Sequence, residues 1–230
     1  ELNIYSLAYL PYPAMIIPFV KFFATDKVNG KLYTDKQRKQ LVRWFWRNCF
    51  SRRYSSGVND AHKTDILLMN KLKENEDTDI SPFNCELDNS FFTNNSFNIS
   101  SVNSKTFIVM LASNKPISFI SGAKVDLSKT LKLSSSKEFH HIFPVKYLQK
   151  TGKTKKEIYQ LANFCFLNNA DNQKIKDKSP EVYAKLLNED RKNEILKAAL
   201  CPQDTFYIDY NNFIEKRKNI LLEYAQELIR

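Results

Sequence analysis

Residues 138–144 read EFHHIFP and residues 162–178 read ANFCFLNNADNQKIKDK. Two of the chain's three histidines, His140 and His141, therefore stand side by side just ahead of Pro144. The alternating approach to His141 predicts a short strand, and adjacent strand residues project to opposite faces. A simple strand would separate the two imidazoles, whereas a bend or bulge would let them converge.

Outward from this stretch the chain reads as helix and loop. Residues 154–160 predict a short helix, followed by the apolar run NFCFL at 163–167. Further helices are expected in SPEVYAKLL, RKNEILKAAL and NNFIEKRKNILLEYAQEL, which begin at 179, 191 and 211. Upstream, KTFIVMLAS at 105–113 predicts a buried helix and ISFI at 117–120 a short strand, before a loop-rich stretch. Residues 88–104, DNSFFTNNSFNISSVNS, have the Asn and Ser density of a connector. The expected organisation is a basic helical segment over 1–87, that connector over 88–104, and a second domain over 105–230.

In the first segment, LPYPAMIIPFVKFFA at 10–24 predicts a buried helix entered through Pro11 and Pro13 and kinked or divided at Pro18. Thr34 is a good N-cap for the helix in TDKQRKQLVRWFWRNCF. Its periodicity puts Leu41, Trp44, Phe45 and Cys49 on one stripe and Lys36, Lys39, Arg43 and Arg47 opposite. SRRYSSG then turns near Gly57 into a further helix, AHKTDILLMNKLKE.

Composition bounds the rest. The chain has 230 residues, 43% apolar and 13% aromatic, enough to bury a full core in one large domain or two small ones. Four glycines and many Lys, Glu and Leu at helical spacing favour a mainly α protein of the α+β type. The longest apolar run is broken by Pro18 and Lys21 and is too short for a bilayer, so no membrane partner is expected. Nothing in the first residues resembles a secretory leader, and a start at Glu1 suggests a piece of a longer polypeptide. Cys49, Cys85, Cys165 and Cys201 lack any C-x-x-C pairing, which suits reduced core thiols in the cytosol.

The net charge of +10 makes a polyanion partner plausible, and its placement says more than its sum. Residues 21–53 hold ten Lys and Arg against two Asp, and residues 137–178 hold nine Lys against four acids. One of the two basic stretches contains the paired histidines. In the other, Lys39, Arg43, Arg47, Arg52 and Arg53 can meet phosphates, with Trp44 and Trp46 in the core.

HHIFP, then Asn163, then Asn172 nine positions later, resembles the HNH endonucleases. The wording of HHIFPVKYL and ANFCFLNNADNQKIKDKSP, with LPYPAMIIPFVKFFA and RWFWRNCFSRRYSSG before them, is similar to the nuclease half of GmrSD-type modification-dependent restriction proteins. The resemblance implies a small ββα-metal motif embedded in the helical domain. It implies a metal-dependent DNA endonuclease of restriction or phage defence, with His140 and Asn172 as ligands and His141 as general base. Asn163 would brace the loop that orients His141, and Lys174 and Lys176 would meet DNA. A separate N-terminal sensor or nucleotide-binding domain is the further expected partner. Many members carry another His where this chain has Lys176, and the 22 residues from His141 to Asn163 must hold an inserted helix. One imidazole and one amide oxygen suit Mg²⁺ or Mn²⁺ with several waters. Glu138 or Asp171 would be an extra ligand, a group behind the ligands, or a plain solvated carboxylate. The reading from another class is a catalytically inactive DNA-binding or partner-docking module.

Overall fold

Pro13 starts a 3-10 turn, Pro13–Met15, that runs directly into α1, Ile16–Phe23. Pro18 lies in the first turn of α1, where the N–H it lacks has no helical partner to lose, so it does not divide the helix. The helix expected to be buried is instead amphipathic: Pro18 and Phe22 are buried, while Ile17, Val20 and Phe23 are exposed. Packed mainly on the helix Val58–Glu74, with Phe19 also edge-on to Trp44, the eight residues bury one stripe and leave Ile17, Val20 and Phe23 exposed.

The structure, a computed structural model, describes residues 2–24, 33–131 and 139–230, without the Asn169 side chain. It divides into two compact units. One comprises residues 11–87 and 225–230. Its helices are α1, α2 (Asp35–Ser51) and α3 (Val58–Glu74). Thr34 caps α2 as its sequence predicts, through a capping box in which Thr34 Oγ1 accepts from Gln37 N–H and Gln37 Oε1 from Thr34 N–H. The apolar side of α2 is wider than one stripe, because Trp46 and Phe50 are buried beside Leu41, Trp44, Phe45 and Cys49. Between α2 and α3 the chain reverses through two left-handed residues, Arg52 at φ 57° and Gly57 at φ 62°.

The second unit comprises residues 1–10 and 88–224. Its first helices are α4 (Ser90–Asn94), α5 (Val102–Ser113) and α6 (Leu127–Thr130). From Phe107 to Ala112 every residue of α5 is buried, so this helix is apolar on all sides. The segment expected as a connector contributes α4 and lies against the 159–161 stretch, where Ser96 and Gln160 form a bridge and Phe97 N–H donates to Tyr159 O at 2.7 Å. ISFI likewise yields a single bridge, Ile117 with Lys124, and no longer strand.

The described part of the paired-histidine region forms β1, Phe139–His141, antiparallel to β2, Phe164–Phe166. The register sets Phe139 against Phe166, His140 against Cys165 and His141 against Phe164. Between the strands lie α7 (Val145–Lys150) and α8 (Lys155–Ile158), so the expected single insert is two short helices joined at Gly152, φ 77°. After β2 come α9 (Asn169–Ile175), α10 (Pro180–Ala184), α11 (Lys192–Ala198) and the long α12 (Tyr210–Ile229). Phe143 packs against Phe213 at 4.7 Å between ring centres, which seats α12 on the turn after β1. The resulting class is mainly α, with a small two-stranded sheet among the described residues.

Candidate active site

Asn163 is the structural centre of the region. It ends the 3-10 turn Leu161–Asn163, is fully buried, and stands directly before β2. Its Oδ1 accepts from Phe143 N–H at 2.9 Å, and its Nδ2 donates to Phe143 O at 3.1 Å and Ile158 O at 3.0 Å. Its own carbonyl accepts from Ile142 N–H at 2.8 Å. One amide side chain therefore clamps the turn that follows His141. Tyr183 Oη adds a further bond to Ile142 O on the same turn.

His141 ends β1 among aromatic rings. Phe164, its cross-strand partner, lies 4.1 Å away between ring centres, and Tyr159 meets the imidazole edge-on at 5.0 Å. Phe97 stacks on Phe164 at 4.1 Å and also touches Phe139, so the former connector closes this cluster. Burial disfavours the imidazolium, and the neighbouring His140 charge adds to it, so the His141 pKa falls to about 4. His141 is thus neutral at ordinary pH. Its Nε2 is buried with no hydrogen-bond partner among the described residues.

His140 lies opposite Cys165 in the register and leaves the strand on the side away from His141. No bulge interrupts this three-residue pairing. Asn172 is half-buried on α9, three residues after the strand–helix junction. Asp171, beside it, is 1% exposed. Burial alone would raise its pKa, but hydrogen bonds from Ser118, Ser121 and Ile120 more than offset this and hold the carboxyl below the usual range. It is not a solvated surface acid: Oδ2 is taken by those donors, while Oδ1 lies 3.8 Å from Lys174 Nζ. Glu138, the other carboxylate considered, lies outside the described residues.

Among the described residues no group of three His, Cys, Asp or Glu side chains converges as a metal site. The donor set expected from the sequence, His140 and Asn172, is one imidazole and one amide oxygen, chemistry that fits a largely hydrated Mg²⁺ or Mn²⁺ and not a closed zinc site. The four cysteines are free, and burial pushes the Cys165 and Cys201 thiols up, which makes them poor metal ligands.

The basic residues divide by engagement. On α9, Lys174 is exposed with its Nζ 3.8 Å from Asp171, and Lys176 is an exposed C-cap at φ 47°. In the other unit, Arg43 pairs with Asp79 at 2.9 Å. Arg47 donates to the Ser81 and Phe83 carbonyls. Arg53 meets the fully buried Asp65 at 2.6 Å and lies over the Phe83 ring. These three arginines tie α2 and its following turn to the 79–83 loop and to α3. Lys39 and Arg52 are exposed.

Arg217 escaped sequence reasoning. It is fully buried and donates to the carbonyls of Ala162 at 2.6 Å, Ala199 at 3.0 Å and Leu200 at 3.2 Å. Its signal was present, since it sits midway between Phe213 and Leu221 on the apolar stripe of α12.

No protein-family model matches this chain, and no solved structure matches it. An uncharacterised protein of Methanocaldococcus jannaschii is 27% identical over 251 aligned positions, covering 95% of this chain and 41% of that protein. The chain thus spans about two-fifths of the length of the curated relative it matches.

Proposed function

We propose that this chain is a metal-dependent DNA endonuclease module of HNH type, part of a larger restriction or phage-defence protein. The observation that carries the proposal is the pairing of β1 with β2, followed at once by α9. It joins the His-His strand, the buried Asn163 clamp and the Asn172 helix in the order that the resemblance to HNH nucleases requires. A neutral imidazole with an unpaired Nε2 further supports His141 as the base.

In this mechanism His141 takes a proton at Nε2 from the water that attacks the phosphodiester. Because Nε2 is covered by its neighbours, substrate binding must uncover it before it can act. Asn163 holds the turn after His141 and keeps the imidazole's backbone fixed. For both imidazoles to serve one phosphodiester the end of β1 must bend from the regular pairing; a divalent cation held by His140 and Asn172 would then supply positive charge for the phosphorane and the leaving oxygen. Lys174 and Lys176, exposed on the same helix, meet flanking phosphates.

Supercoiled plasmid incubated with the purified chain and Mn²⁺ or Mg²⁺ tests this. Nicking that a chelator stops and that His141→Ala abolishes is the expected result; no nicking with either metal rules the proposal out. The alternative, an inactive DNA-binding or docking module, draws support from the thin protein ligand set of one imidazole and one amide oxygen. It predicts salt-sensitive DNA binding without turnover and without metal dependence.

A further inference from the structure

Asp171 stands one residue before Asn172 on α9, a helix of seven residues. Its Oδ2 accepts from Ser118 Oγ at 2.6 Å, Ser121 N–H at 2.8 Å, Ser121 Oγ at 2.9 Å and Ile120 N–H at 3.1 Å. The turn that supplies these donors is closed on itself by bonds from Gly122 N–H to Ser118 O and from Ser118 N–H to Ala123 O. Ser118 Oγ also accepts from the backbone N–H of Asn168, the residue that caps α9, and Asn168 Oδ1 accepts from Asp171 N–H at 2.7 Å. The start of α9 is therefore bonded throughout to the 118–121 turn, more than 45 residues earlier in the chain. A helix this short does not hold its direction by its own hydrogen bonds in water. The cradle around Asp171 sets both its position and its rotation.

We infer that Asp171 is a positioning residue for the metal site: by anchoring α9 to the 118–121 turn it fixes the direction in which Asn172 presents its amide oxygen. This role rests on the metal site proposed above. It differs from ligation, because it acts through Oδ2, the oxygen that serine hydroxyls and backbone amides saturate, and substituting Ser118 and Ser121 removes the hydroxyl donors of that anchor while leaving the carboxylate in place. It differs from simple packing in that its removal changes metal binding in a protein that remains folded.

The test is Mn²⁺ affinity of the full chain, followed by the paramagnetic resonance signal of the free ion, with thermal melts of each variant. Asp171→Asn and the double variant Ser118→Ala/Ser121→Ala are expected to weaken Mn²⁺ binding about tenfold or more, the range in which partners behind the ligands act. Combining the three changes should add little, since donor and acceptor form one unit. Plasmid nicking by Asp171→Asn should recover toward the wild-type rate at saturating Mn²⁺. Wild-type affinity in both folded variants, with Asn172→Ala weakened, overturns the positioning role and leaves the metal site standing. Unchanged affinity in Asn172→Ala overturns the metal site, and the positioning role with it. Should Asp171→Asn fail to fold, the serine variant, which retains the carboxylate and both backbone amides, decides the matter alone.

Discussion

His141 carries a stability cost that acid reveals. Its folded pKa is about 4, while an unfolded imidazole titrates near 6.5. Between those values the unfolded chain binds more protons than the folded one, so stability must fall as pH drops from 6.5 toward 4. His141→Phe keeps a ring in the aromatic cluster and removes the titration. Thermal melts of this variant are expected to show a flatter dependence on pH across that window than wild type; an equal slope would assign the acid sensitivity to other groups. Asn163 is a different case, with three side-chain bonds inside the fold. Asn163→Ala strands the Phe143 N–H and two buried carbonyls, and should cost about 3 kcal/mol in denaturant unfolding. Asn163→Asp keeps the acceptor and loses both donors, so it should not restore stability. The short strand that ends at His141 was legible from its alternating pattern. The aromatic surround of His141 was not, because Phe97 arrives from a segment whose Asn and Ser content reads as loop.

Helix α12 shows what periodicity reveals and what it hides. The stripe of Tyr210, Phe213, Ile214, Leu221 and Ala225 is apolar and buried, as a 3.6-residue period predicts. Arg217 lies on that stripe and would ordinarily be read as its solvated edge. Three backbone carbonyls make its burial tolerable, and two of them belong to the end of α11, where a cation also suits the helix dipole. Arg217→Met should destabilise the protein by about 3 kcal/mol or more, since it leaves those carbonyls unpaired. Arg217→Lys, with one compact donor group in place of a planar fork, should recover less than half of the loss in the same unfolding measurement. The same limit explains α1. Sequence hydropathy predicted burial, but its neighbours cover only one side of the helix and leave Ile17, Val20 and Phe23 exposed.

Across the whole chain, the excess of +10 does not translate directly into a nucleic-acid surface. Charge runs are visible in sequence, but their partners are not, because Asp65, Asp79 and the 81–83 carbonyls lie a dozen or more residues from the arginines they meet. Arg53→Ala should therefore act on stability, by about 3 kcal/mol or more, by leaving Asp65 buried without its cation. Lys39→Glu with Arg52→Glu should leave the melting temperature near wild type. If these two residues meet phosphates, the salt dependence of DNA binding should fall by about one unit of log–log slope for each phosphate that is no longer neutralised. An unchanged slope would place the DNA surface elsewhere, with Lys174 and Lys176 the next residues to substitute.

The most direct test of the account is single-turnover nicking of supercoiled plasmid in saturating Mn²⁺ by wild type and His141→Gly, the latter with and without added imidazole. The account predicts metal-dependent nicking by the wild type, its loss in the glycine variant, and partial return when free imidazole enters the space left among Phe164 and Tyr159. A glycine variant that nicks at the wild-type rate, or a wild type that shows no metal-dependent nicking, would contradict it.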